Sequence, residues 1–168
     1  MCLRVFMIAV VVWLQPTTSA ALECNIPHHK GAGILPFAVS PSGDVQLLLG
    51  FQKGRGWSSF GGGPKQVESI NQPARRCESR KEAALREGVE ELRFLIPRVE
   101  VKGRLDNARS FPVNVKPSEF KTFVIHIGLI DLAPYYSEPV LSRSGYTETS
   151  AIGWVSLREL VSLASFHP

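Results

Sequence analysis

The spacing of apolar and polar positions lays out a succession of strands and helices before any single residue is considered. Residues 32–39 form a short apolar run, and the turn signal Pro41-Ser42-Gly43-Asp44 separates it from a second run at 45–51. Two such runs across a polar turn predict a β-hairpin. Lys53, Gly54, Arg55 and Gly56 predict an exposed basic turn, followed by Trp57-Ser58-Ser59-Phe60 and a glycine run at 61–63. Residues 64–76 are polar and carry Pro64 and Pro73, which predicts a loop. The period then lengthens. Leu85, Val89 and Leu92 make one stripe, Ser79 and Glu82 have capping-box spacing, and Pro97 sets the latest end, so a helix is predicted over 80–93. Residues 99–105 and 120–129 read as strands, and 106–117 and 134–146 as loops. A last strand at 151–155 and a short helix at 156–162, capped by Ser156, complete the pattern. These elements predict an α/β protein with a mixed sheet and a helical layer on each face. Neither an internal repeat nor an interdomain linker interrupts them.

The first twenty-odd residues follow another logic. Arg4 precedes an uninterrupted apolar run at 5–14, Gln15 and Pro16 break it, and the small residues Thr18, Ser19, Ala20 and Ala21 follow. This is the layout of a secretory signal peptide over 1–21, cleaved after Ala20 or Ala21. A buried N-terminal strand is the competing reading. A spanning helix needs about 20 apolar residues, so no stable membrane anchor is expected. The chain then divides into the signal, a leader at 22–30 and one domain at 31–168, and its expected location is secreted. Cleavage discards Cys2 and leaves Cys24 and Cys77, which the sequence allows either to pair or to stay as two thiols.

Composition adds exclusions. With 44 % hydrophobic and 20 % charged residues the chain is neither a disordered tail nor a disulfide scaffold. A net charge of +4 suits an anionic substrate, but no dense Lys/Arg block marks a surface for duplex nucleic acid. His28, His29 and His126 have no zinc-site spacing with the cysteines.

The chemistry gathers on the first helix. Glu87, Glu90 and Glu91 stand at relative positions zero, three and four, which project to one patch. Three like charges so placed repel one another, and a hard cation such as Mg²⁺ or Mn²⁺ relieves that repulsion. A solvated acidic face, with Arg86 paired to Glu90 and to Glu82, is the bland alternative. The glycine run at 61–63 lies one loop upstream and lets backbone approach a ligand closely. It lacks the Lys-Ser/Thr ending of a P-loop and the pattern of a dinucleotide-binding fold.

Taken together these residues resemble the Nudix hydrolase family. Glu78, seven intervening residues, Arg86-Glu87 and then Glu90-Glu91 match the second half of its box. Ala83-Ala84, the segment Trp57 to Gly62 and the late segment Ala151 to Val155 are also similar, so the resemblance spans residues 31–163. It implies a Nudix-type α/β/α sandwich with a mixed β-sheet. It further implies that Glu87, Glu90, Glu91 and a backbone carbonyl near Gly62 ligate Mg²⁺ or Mn²⁺. Arg86 would orient the glutamates, Glu78 would brace the loop against the helix, and the general base would be a box glutamate or a later acid, Glu148 or Glu138. The expected activity is hydrolysis of a nucleoside diphosphate linked to another moiety, as in a nucleotide derivative or an mRNA cap. Trp57, Phe60, Arg75 and Arg76 are candidate substrate contacts, and Tyr135, Tyr136 and Tyr146 are either stacking or packing residues. A catalytically weak module that binds a phosphorylated ligand is the alternative function. The signal peptide adds a resemblance to secreted Nudix effectors of plant-associated fungi and oomycetes that enter host cells. The sequence leaves a homo-oligomer open.

Four departures accompany the resemblance, one of them Phe60 where proline commonly precedes the glycine pair. Gly62 and Glu78 are sixteen positions apart where the family has six, an insertion of ten residues. Gly88 replaces an aliphatic residue, and Arg93 stands where glycine is usual. The insertion either shapes substrate access through Arg75 and Arg76 or is a tolerated extension.

Overall fold

The structure, a computed structural model, describes residues 24, 29–69, 72–115, 118–137 and 149–165. The signal segment, residue 138 and residues 139–148 therefore lie outside the described residues. The expected hairpin forms from β1 (His29–Val39) and β2 (Val45–Gln52), with Phe37 opposite Leu47. The two strands pair only near their shared turn. Beyond it they splay, and the chain from Gly56 to Gly62 fills the gap. Its first part, β3 (Gly56–Ser58), pairs with the end of β2, and its second, β4 (Phe60–Gly62), pairs antiparallel with Ala32–Ile34 of β1. This brings the glycine run to the middle of the sheet.

The polar stretch expected to be a loop is instead a separate antiparallel hairpin, β5 (Gln66–Ser69) and β6 (Gln72–Cys77). Pro73 is tolerated because a two-stranded ribbon has an open edge for a residue without an N–H. A Cys24–Cys77 disulfide ties this hairpin to the leader, with Cα atoms 5.7 Å apart. It closes a separation of 53 residues, worth about 4 kcal/mol in the chain-entropy account.

Helix α1 (Arg80–Glu91) follows its capping box, in which Ser79 accepts from the Glu82 N–H and Glu82 accepts from the Ser79 N–H. Its buried face carries Leu85, Val89 and Leu92 as the stripe requires. The expected strand at 99–105 is instead a helix, α2 (Arg98–Asp106). Alternation would bury Val99 together with Val101 and Leu105. The chain buries the last two, four apart, and leaves Val99 79 % exposed. The expected loop after it contains a strand, β7 (Arg109–Val115), at the edge of the sheet, where a proline such as Pro112 is tolerated. It pairs antiparallel with β8 (Ser118–His126), which runs parallel to β1. A short helix, α3 (Ala133–Ser137), begins the second expected loop. Strand β9 (Thr149–Ser156) pairs with the free edge of β2, and α4 (Leu157–Ser165) packs on β2 and β9.

The result is a mixed α/β fold with a seven-stranded sheet in the order β3-β2-β1-β8-β7, joined by β4 on β1 and β9 on β2. Helices α1 and α2 close over Ile34, Leu48, Phe60, Ile125 and Ile152 to make one core. No described helix is long and apolar enough to cross a membrane.

Candidate functional site

Arg86 is the hub of the acidic face of α1. Its Nε and Nη2 donate to the two oxygens of Glu78, both at 2.8 Å. Its Nη1 reaches Glu87 at 2.5 Å and Glu90 at 3.4 Å, and Nη2 also donates to the Gly63 carbonyl at 2.8 Å. A rigid fork of five N–H donors suits this task, and a lysine would not reach all four partners. The guanidinium is mostly buried. Burial alone would lower its pKa, but Glu78 and Glu87 raise it further than burial lowers it.

Glu78 closes the base of the inserted hairpin. Its carboxylate accepts from the Lys65 N–H at 2.9 Å, and its own N–H donates to the Lys65 carbonyl at 2.9 Å. Lys65 and Glu78 are therefore neighbours in space, so the insertion leaves the glycine run beside the helix. Burial pushes the Glu78 carboxyl up, yet the Arg86 and Lys65 hydrogen bonds overcome it and hold the group below the usual carboxylate range.

Glu87 lies directly against the glycine run. A Cβ on Gly62 would fall 2.6 Å from both the Cδ and Oε1 of Glu87, so a side chain there would push that carboxylate aside. Burial is the largest influence on Glu87 and lifts its pKa in spite of Arg86. Glu90 is the exposed member and has Lys65 Nζ 3.8 Å away. Glu91, one turn further along the same face, meets the neighbouring glycine and the end of β2. Its Oε1 accepts from Gln52 Nε2 and its Oε2 from the Gly61 N–H, both at 2.9 Å.

Three carboxylates and the nearby carbonyls are hard oxygen donors of the type that Mg²⁺ and Mn²⁺ take. Gly62 leaves the cradle beside Glu87 that a side chain would fill. By donor chemistry and by this cradle the residues fit a divalent cation. As they stand, Glu87 and Glu90 are held by Arg86 and Lys65 and Glu91 by Gln52 and Gly61, and among the described residues no three acidic, histidine or cysteine side chains converge on one point.

The remaining candidates scatter. Phe60 is 1 % exposed and packs in the core, which corrects the expectation that it contacts substrate. It belongs to the same buried cluster as Leu48, Ile34 and Ile152. Trp57 is half-buried on β3, its ring 5.5 Å from that of Phe51 and next to Gly153. Arg76 forms a two-pronged bond with Glu82 at 2.6 and 2.7 Å on the far side of the helix start, so Glu82 pairs there and not with Arg86. The Arg75 side chain, Glu138, Tyr146 and Glu148 lie outside the described residues. Tyr135 is a packing residue, buried with its hydroxyl donating to the Thr149 carbonyl. Tyr136 exchanges bonds with the backbone of Ile152.

Sequence reasoning missed Lys65, Gln52 and the role of Arg93. Arg93 adopts φ +50 and Phe94 φ +59, the left-handed region in which glycine is at ease. The Arg93 guanidinium compensates by stacking 4.1 Å over the Tyr135 ring and donating to the Tyr135 carbonyl at 3.0 Å and the Thr149 carbonyl at 3.5 Å. Its presence at a glycine position was the available signal.

No family model matches the sequence, and no curated protein matches it. Among solved structures the chain is similar to an Ap4A hydrolase from C. elegans in a binary complex, at 19 % identity over 83 % of this chain and 88 % of that one, with a TM-score of 0.46. It is similar to a NUDIX hydrolase from Alicyclobacillus acidocaldarius at 16 % identity, 83 % of each chain and a TM-score of 0.47. A Nudix hydrolase from M. smegmatis, RenU, matches at 17 % identity over 80 % of this chain and 75 % of that one, with a TM-score of 0.42.

Proposed function

We propose that the protein is a Nudix-type hydrolase of diphosphate bonds, dependent on Mg²⁺ or Mn²⁺, whose substrate is a nucleoside diphosphate linked to another moiety. The observation that carries the reading is the Arg86 hub. It gathers Glu78, Glu87 and Glu90 against the Gly63 carbonyl, which is the arrangement the box resemblance calls for. A merely solvated acidic face has no reason to bury Glu78 and the guanidinium. Glu87, Glu90 and Glu91 with the Gly62 carbonyl would hold the cation. The cation would neutralise diphosphate oxygens and lower the pKa of a water. The chain's own residues supply the rest. Arg86 sets the direction of the carboxylates, and Glu78 holds Arg86 and the hairpin base in register. Burial raises the Glu87 carboxyl above its ordinary range, and a bound cation would oppose that shift. Lys65 offers an exposed positive charge beside Glu90 for an anionic substrate.

We also propose export. The layout of residues 1–21 and the Cys24–Cys77 disulfide both suit an oxidising compartment. Within diphosphate substrates, a nucleotide derivative and an mRNA cap remain the two classes to separate. A panel of ADP-ribose, diadenosine polyphosphates, capped RNA and diphosphoinositol phosphates, assayed with Mg²⁺ and with Mn²⁺, tests the reading. Turnover of a nucleoside-linked member that is lost with EDTA is the expected result. Metal-independent turnover, or none across the panel, overturns it.

A further inference from the structure

We propose that Gln52 is a positioning residue for Glu91, an inference that rests on reading Glu91 as part of the cation-binding face. Gln52 ends β2 and is only 7 % exposed, a place where a polar side chain must find partners within the protein. Its Nε2 donates to Glu91 Oε1 at 2.9 Å, and its Oε1 accepts from Arg55 Nη1 at 3.3 Å. A guanidinium only donates and a carboxylate only accepts. One orientation of the amide therefore satisfies both neighbours, and the flipped amide would set its carbonyl against the carboxylate.

The second oxygen of Glu91 meets the Gly61 N–H, so the group is gripped from β2 on one side and β4 on the other. The first is one of the splayed strands, and the second is a strand that fills the gap between them. Gln52 itself pairs with Thr149 in β9, whose carbonyl takes bonds from Tyr135 and Arg93. The grip thus stands on three strands and the end of α1. A glutamate side chain is rich in rotamers, and holding it in one arrangement completes its ordering during folding instead of when an ion binds. The amide does this without charge. A lysine or arginine at position 52 would hold Glu91 as firmly but would add a positive charge against it, whereas the Gln52 amide adds none.

The test uses Mn²⁺ binding to the substrate-free protein, followed by the electron paramagnetic resonance signal of free Mn²⁺. Gln52→Met keeps length and removes the donor. Gln52→Asn keeps an amide but falls one methylene short and guards against a folding defect peculiar to methionine. Both should weaken Mn²⁺ binding about 10- to 100-fold, the usual effect of losing a group that orients a ligand. At saturating Mn²⁺, kcat should recover while KM for the diphosphate substrate stays near wild type. Gln52→Lys should also weaken Mn²⁺ binding while its melting curve remains that of the wild type. In a Glu91→Ala background, Gln52→Met should cause no further loss, since its partner is gone. If the wild-type protein binds no Mn²⁺, the reading of the site itself fails. If it binds Mn²⁺ but Gln52→Met and Gln52→Asn bind equally well, or Gln52→Met and Glu91→Ala losses add, Gln52 is a strand residue only and the inference is wrong.

Discussion

Substituting Gly88 with alanine should destabilise the protein, against the direction that helix propensity gives. Gly88 lies inside α1, where glycine costs about 1 kcal/mol relative to alanine. Propensity alone therefore predicts a gain of that size. The structure supplies an opposing effect. A Cβ at this position would lie 2.4 Å from Ile34 Cδ1 and 2.7 Å from Ile34 Cγ1, about 1 Å inside the roughly 3.5–4 Å at which carbon atoms rest in contact. Ile34 is fully buried among Leu48, Phe60 and Val89 and has no open side to move into. Overpacking of this kind costs about 1–3 kcal/mol, so the net change should be about 0–2 kcal/mol of lost stability. Ile34→Val removes the nearer atom and alone costs about 0.5–1.5 kcal/mol. Joined to Gly88→Ala it should cost less than the sum of the two, with a coupling of about 1 kcal/mol. Urea midpoints at unchanged slope for the four proteins give the cycle. A more stable Gly88→Ala together with strict additivity would refute the close approach of α1 to β1. That approach matters to the site, since the same helix turn presents Glu87 to Gly62 on a strand paired with β1.

At position 93, Arg→Ala and Arg→Gly both lose the guanidinium, but only alanine keeps a Cβ at φ +50. The alanine variant should melt lower, by an amount equal to about 1 kcal/mol, and equal melting temperatures would show that this backbone holds no strain. Acid stability should carry two opposed contributions. Glu78 has a folded pKa below its ordinary 4.5, so its contribution is complete above that value and is lost as pH falls through the folded pKa. Glu87 is raised, so its contribution is complete below 4.5 and is lost as pH rises through its folded pKa. Glu78→Gln should flatten the fall in stability below pH 4.5, while Glu87→Gln should remove a decline that the wild type shows above it. Stability measured by denaturant at each pH checks both, and a shared window would contradict the assignments.

What the sequence made legible was local. The Ser79–Glu82 box and the 85, 89, 92 stripe are short-range codes, and both appear as read. The polar turn at 41–44 likewise placed β1 and β2 in register. Residues 98–106 defeated the same reasoning because alternating valines fit a strand as well as a helix, and only packing under β8 decides which face is buried. Strand β7 and the inserted hairpin were hidden by their prolines, which forbid central strands but not edges. That the hairpin brings Lys65 beside Glu78 is a long-range fact, with nothing at either residue to announce it.

The site divides along the same line. Charged residues that do chemistry must be of particular types at particular spacings, so Glu78, Arg86, Glu87, Glu90 and Glu91 stand out in one helix and its approach. The groups that steer them need only the right donor in the right place, and many residue types meet that demand. Gln52 is 39 positions from Glu91 and sits in a strand whose other residues are packing. Its amide becomes visible only once β1 and β2 are seen to splay and β4 to enter between them. The splay is what opens the sheet to the end of α1, and the glycines at 61 and 62 are what let the backbone and a carboxylate share that opening. The acidic face therefore owes its placement to the sheet as much as to the helix that carries it.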